Sequence, residues 1–122
     1  MTLFPRPRVL AFASVALAGI ALTTLAARNP GQVREFNVNG RANAFAPGRI
    51  EVQKDDLVKI TFTAADIAHS FTLDSYRIAK RAGAGQTVVF EFRADQTGTF
   101  PFYCNLTQDD KCRQMKGELV VR

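Results

Sequence analysis

Four residues carry most of this chain's capacity for chemistry: His69, Cys104, Cys112 and Met115. His69 is the single His, the two Cys are the only thiols, and Met115 is the only Met besides Met1. Imidazole, thiolate and thioether are donors that copper favours, and two thiolates also suit zinc. Three of the four fall in one short stretch, Cys104-Asn-Leu-Thr-Gln-Asp-Asp-Lys-Cys112-Arg-Gln-Met115, and the fourth lies far upstream. Taken singly, each has a plain structural explanation. A His in a strand is usually a satisfied core or surface residue. A lone Met fills gaps. Two Cys in an exported domain usually pair, and the short loop they close is worth about 2.5 kcal/mol by chain entropy. Taken together and in this order, they favour a metal site. Asp66, three positions before His69, either orients its ring through the other nitrogen or caps a turn.

The elements that must position these residues read as strands. Val58, Ile60 and Phe62 alternate with Lys59, Thr61 and Thr63, a half-buried strand of period two. The same alternation marks Phe36 and Val38, Ile50 and Val52, Phe71 and Leu73 after His69, Val88, Phe90 and Phe92, Phe100 and Phe102, and Leu119 and Val121. Gly40–Gly48 is turn-rich, with Pro47-Gly48 as punctuation, and Lys54-Asp55-Asp56 reads as a polar turn. No helical stripe appears after residue 30. Short strands separated by turns predict an all-β sandwich or barrel.

The first 28 residues are a different material. Arg6 and Arg8 precede an apolar run from Val9 to Ala27, and no acidic residue occurs before Glu35. A charged start followed by an apolar stretch is an export signal, and this one is also long enough to span a bilayer as a helix. Residues 1–28 are therefore expected to be a signal peptide or a membrane anchor formed by a hydrophobic helix, with residues 29–122 as one domain outside the cytoplasm. Attachment to the membrane would run through residues 9–27. The chain of 122 residues carries a formal charge of +5, with basic and acidic residues interleaved. That pattern argues against a nucleic-acid partner. No Ser-His-Asp order with supporting glycines, phosphate loop or paired-carboxylate signature is present, so no enzyme activity is expected.

Asp66-Ile67-Ala68-His69-Ser70-Phe71 forms an Asp-x-x-His-Ser-aromatic motif. Ala94-Asp95-x-x-Gly98-x-Phe100 leads through Phe102-Tyr103 to Cys104, and Met115-Lys116-Gly117 leads into a Val-rich end. On these residues, the stretch from Phe36 to Val121 resembles a cupredoxin. It is most similar to the dinuclear-copper domain of cytochrome c oxidase subunit II and nitrous oxide reductase. The resemblance implies a Greek-key β-sandwich with copper at one end. That domain spaces its ligands as Cys, Cys four positions later, His eight later and Met eleven later. Here Cys104 and Met115 keep the outer spacing, but Gln108 and Cys112 stand where Cys and His are needed. A dinuclear centre requires both bridging Cys, and a standard blue site requires two His; neither is available. The resemblance leaves a mononuclear set of His69, Cys104, Cys112 and Met115 for one copper ion, with Asp66 behind His69. The expectation is an exported copper-binding protein in the periplasm or another extracytoplasmic space. It would serve electron transfer or copper carriage, with a redox or copper-delivery protein as partner. The alternative is a metal-free domain of the same fold, stapled by a Cys104–Cys112 disulfide and acting in structure or partner binding.

Overall fold

The computed structural model describes residue 3, residues 31–107 and residues 110–122. The expected signal or anchor, residues 1–28, lies outside the described residues but for residue 3, and so does Gln108. Among the described residues no helix is long and apolar enough to cross a membrane.

Among the described residues nine strands follow in chain order: β1 Val33–Arg41, β2 Ala44–Ala46, β3 Arg49–Val52, β4 Leu57–Ala64, β5 His69–Leu73, β6 Ile78–Ala82, β7 Thr87–Arg93, β8 Gly98–Tyr103 and β9 Lys116–Val121. They form two sheets, ordered β2-β1-β4-β7 and β3-β9-β8-β5-β6. Most neighbours run antiparallel, but β1 pairs with β4 and β3 pairs with β9 in parallel. This is the all-β sandwich that the alternating pattern predicts.

The alternation shows its cause in β4, where Val58, Ile60, Phe62 and Ala64 are buried and the residues between them face outward. Burying such side chains contributes about 1.5–3 kcal/mol each. The inner faces meet in a cluster of phenylalanines. Phe71 stacks on Phe102 at 4.6 Å between centroids, and Phe45 meets Phe102 edge-on at 5.0 Å. Phe62 and Phe90 complete the cluster against Phe71. Gly117 on β9 lies against this group. A Cβ there would run into the Phe102 ring and would sit 2.8 Å from the Gly48 carbonyl oxygen.

Two elements differ from the sequence reading. The turn-rich stretch 40–48 contains β2, which folds back on β1 with Asn39 opposite Ala46. Its two-residue turn, Ala42-Asn43, has both φ angles positive, 50° and 66°. That conformation matches the twist of a hairpin, although no glycine marks it. The other is β6, whose Ile-Ala-Lys-Arg-Ala sequence has no clear period. It is an edge strand held by five register pairs with β5. Asp56, read as part of a polar turn, is buried. Its carboxylate accepts the Gln53 N–H at 2.9 Å and pairs with Arg34 at 3.4 Å.

Topology places the residues of interest at one end. β8 runs antiparallel to both β5 and β9. The start of β5, the end of β8 and the start of β9 therefore lie together, and these carry His69, Cys104 and Met115.

Candidate metal centre

His69 opens β5, opposite Ala82 of β6, and is fully buried. Alternation along β5 sends it to the same face as Phe71. Gly40, near the end of β1, gives the ring its room. A Cβ at that position would come within 3.2 Å of His69 Cδ2 and of the Phe62 ring.

The imidazole is held from one side. Its Nε2 lies 2.6 Å from Asp66 Oδ1. An ionised carboxylate only accepts, so the ring proton sits on Nε2. Asp66 is itself held: Oδ2 accepts the Ala42 N–H and Oδ1 accepts the Ile67 N–H, both at 2.8 Å. One carboxylate thus ties the β4–β5 loop to the β1–β2 hairpin and to His69. The two backbone donors, Ala42 first and Ile67 second, followed by the imidazole, hold the Asp66 carboxyl far below the usual carboxylate range. The other ring nitrogen, Nδ1, is buried and has no hydrogen-bond partner. A buried lone pair without a partner is costly.

Cys104 follows β8 directly. Its N–H donates to the Met115 carbonyl at 3.3 Å, and its sulfur accepts the N–H of Ser70, the residue after His69, also at 3.3 Å. Cys112 opens a short 3₁₀ turn, Cys112–Gln114. Its carbonyl accepts the Met115 N–H at 3.0 Å, and its sulfur accepts the Leu106 N–H at 3.2 Å. The two cysteines are joined in a disulfide, with Cα atoms 5.2 Å apart. Both are buried, and so is Met115. The 104–115 loop and the His69 strand are therefore in contact through Cys104 and Ser70. In the disulfide neither sulfur is a thiolate. Among the described residues, no group of three or more His, Cys, Asp or Glu is arranged to hold a metal ion.

Two further residues shape the site, Ser70 of the Asp-x-x-His-Ser-aromatic motif and Asn105, neither of which the sequence reading gave a role. Ser70 Oγ–H donates to Asn105 Oδ1 at 2.6 Å, and the Asn105 N–H donates back to Ser70 Oγ at 2.8 Å. This reciprocal pair pins the loop to β5 beside both His69 and Cys104. Ser70 is marked in the sequence by its motif and Asn105 only by following Cys104.

The donor chemistry is compatible with copper once the sulfurs are free. A metal-bound His commonly gives its second N–H to a carboxylate and uses its bare nitrogen as ligand, which is the state of His69. Each sulfur already accepts a backbone N–H, and Met115 offers a buried thioether. A two-sheet β-sandwich that gathers a His strand and a Cys–Met loop at one end defines a cupredoxin-type domain. The description of the cupredoxin-like domain matches residues 13–121, and the chain belongs to that family.

Solved structures agree on the fold. The metal-binding domain of the Cu(I)-exporting P-type ATPase CopA of Streptococcus pneumoniae D39, with Cu(I), is 19% identical with a TM-score of 0.62, covering 74% of this chain and 86% of that one. The periplasmic domain of cytochrome oxidase subunit II (CoxB) of Bradyrhizobium japonicum is 17% identical with a TM-score of 0.64, covering 72% and 83%. Auracyanin A, a blue copper protein of Chloroflexus aurantiacus, is 18% identical with a TM-score of 0.62, covering 74% and 99%. At these identities the likeness is one of fold. No curated protein matches the chain. The fold is thus the one these three proteins share.

Proposed function

We propose that this chain is an exported copper-binding protein rather than an enzyme. In its reduced form His69, Cys104, Cys112 and Met115 would hold one copper ion. The observation that carries this reading is the state of His69: Nε2 bound to Asp66, Nδ1 buried and unpartnered. Three sulfurs and one nitrogen make a soft donor set, which favours Cu(I). Copper bound there supplies a one-electron couple or is itself the cargo. The chain's own residues do the rest. Asp66 fixes the tautomer and orientation of His69. The Ser70 and Leu106 N–H groups stabilise charge on the two sulfurs. The buried setting excludes water.

The partner would be a redox or copper-delivery protein, met in the periplasm or another extracytoplasmic space. Residues 9–27 would act there as export signal or membrane anchor. The test is titration of the reduced full chain with Cu(I) and then Cu(II), following copper per chain and the visible spectrum. One copper per chain is expected, with affinity lowered by at least about 10-fold in His69→Ala. A thiolate band that reduces and reoxidises would assign electron transfer, whereas Cu(I) binding without a stable Cu(II) form would assign carriage. No bound copper, or a His69→Ala variant that binds as well, would refute the proposal. The observed disulfide favours a second reading, a metal-free domain in which Cys104–Cys112 is a staple and the fold serves structure or partner binding.

A further inference from the structure

We infer that Cys104 and Cys112 form a thiol–disulfide gate on the copper site, opened by a protein dithiol. This rests on the copper reading above. The same two sulfurs serve both states, so the states exclude each other. In the disulfide, only His69 Nδ1 and the Met115 thioether remain as donors; after reduction all four are available.

The loop is built to change state without refolding. Its ends are held by contacts that do not involve the sulfur–sulfur bond. β8 and β9 stay in register up to Tyr103 opposite Lys116. The Cys104 N–H bonds to the Met115 carbonyl, and the Met115 N–H bonds to the Cys112 carbonyl. The Ser70–Asn105 pair fastens the loop to β5. Breaking the disulfide therefore leaves both cysteine backbones anchored. The reduced state is also provided for. Ser70 N–H points at one sulfur and Leu106 N–H at the other, so each sulfur keeps a backbone donor when the bond opens.

The chemistry balances. A thiolate of the partner attacks one sulfur of Cys104–Cys112, breaking that bond and forming a mixed disulfide. The partner's second thiol then displaces it. The partner leaves as a disulfide, and two electrons and two protons have passed to Cys104 and Cys112 as thiols. Cu(I) binding then releases the thiol protons. In reverse, the partner's oxidised form takes two electrons from the cysteines, closes the bond and frees the ion. A dithiol suits a buried pair, because its second sulfur is already in place when the mixed disulfide forms. An open cleft is lined by Arg81, Asn105, Leu106 and Thr107, and Leu106 reaches the pair through the N–H it gives to the Cys112 sulfur. The positive charge of Arg81 on that cleft would favour an incoming thiolate.

The experiment uses the full chain in two states, disulfide-closed and reduced with dithiothreitol. Alkylation and mass measurement count thiols, circular dichroism follows the fold, and a competing chelator measures Cu(I) affinity. Dithiothreitol is expected to expose both thiols with the β-sheet signal intact. Cu(I) should bind the closed form more than roughly 100-fold more weakly than the reduced form, and bound Cu(I) should protect both thiols from alkylation. Cys112→Ser, which cannot close the bond, should show a Cu(I) affinity that no longer depends on redox treatment. Equal Cu(I) affinity in both states overturns the gate and leaves the copper reading standing. So does a disulfide that is reduced only in denaturant. A natively reduced chain that binds no Cu(I) overturns the copper reading, and the gate with it.

Discussion

Asp66 offers the sharpest test of how the site is held. Its carboxylate takes three hydrogen bonds, from His69 Nε2 at 2.6 Å and from the Ala42 and Ile67 N–H groups at 2.8 Å each. In Asp66→Ala the two backbone donors lie at the surface and turn to water, costing about 0.5–1 kcal/mol together. The His69 side chain is only 1% exposed, so its N–H is left unsatisfied in the interior. That costs about 1–3 kcal/mol, and the variant should lose about 1.5–4 kcal/mol in all. Asp66→Asn keeps one oxygen, which serves His69 and Ile67, and turns an amide NH₂ toward the Ala42 N–H. Its loss should be nearer about 1 kcal/mol. Urea unfolding of the disulfide-closed chain at neutral pH measures both. The pH dependence supplies a control. A carboxyl held below its usual value adds stability that is complete above about pH 4 and fades as pH falls below that value. Asp66→Asn should lose that part of the acid sensitivity. An Asp66→Ala variant within about 0.5 kcal/mol of the parent, or an Asn variant as damaged as the Ala one, would refute the role given to the buried imidazole. In the reduced chain, Asp66→Ala should also weaken Cu(I) binding about 10–100-fold.

Other outcomes follow from the same geometry. Reducing the disulfide opens a loop of eight positions and should cost about 2.5 kcal/mol. That is a Tm drop of roughly 10–20 °C by calorimetry without copper; an unchanged Tm would mean that the folded loop alone sets its own order. Gly117→Ala drives a methyl into the Phe102 ring and the Gly48 carbonyl, and should cost about 3 kcal/mol in a urea titration; a near-neutral result would show that the phenylalanine cluster yields. The chain has two Tyr and no Trp, so phenolate absorbance reports both tyrosines. Tyr103 donates to Asp74 and Tyr76 is buried in part, and these hold both hydroxyls above the ordinary phenol value. Their contribution to stability is complete below pH 10 and is lost as pH rises through the higher folded values. Asp74→Ala should move the Tyr103 midpoint down, and no movement would remove Asp74 as the cause.

What could be read from the sequence was what local pattern encodes. The alternation of Val58, Ile60 and Phe62 names the inner face of β4 because a strand has period two. His69, Cys104, Cys112 and Met115 stood out by type and rarity. What could not be read depends on distant partners. β6 has no pattern of its own and exists because β5 offers it an edge. The hairpin at Ala42-Asn43 lacks the glycine that would announce it, and β1 sets its register. Asp56 looks like a solvated turn residue until Arg34 and the Gln53 N–H come to it in three dimensions. The bond between Cys104 and Cys112 is likewise one of two chemically reasonable fates for a pair of thiols. Asn105 has no pattern beyond its place after Cys104, and the motif that holds Ser70 does not say that its hydroxyl binds Asn105.

The parallel pairing of β3 with β9 has a consequence for the time course of folding. The sheet β2-β1-β4-β7 draws on nothing beyond Arg93, so all its strands are available early in the chain. β3, by contrast, finds no neighbour in its own sheet until β9 arrives, with Arg49 set beside Glu118. Such distant partners place the domain among slow folders, on a scale of roughly milliseconds to seconds. Mutations at Ile60 or Phe90 should slow folding, whereas those at Ile50 or Leu119 should chiefly speed unfolding. The loop between β8 and β9, with its sulfurs, would then take shape in the last step, as the second sheet closes over a first one already formed.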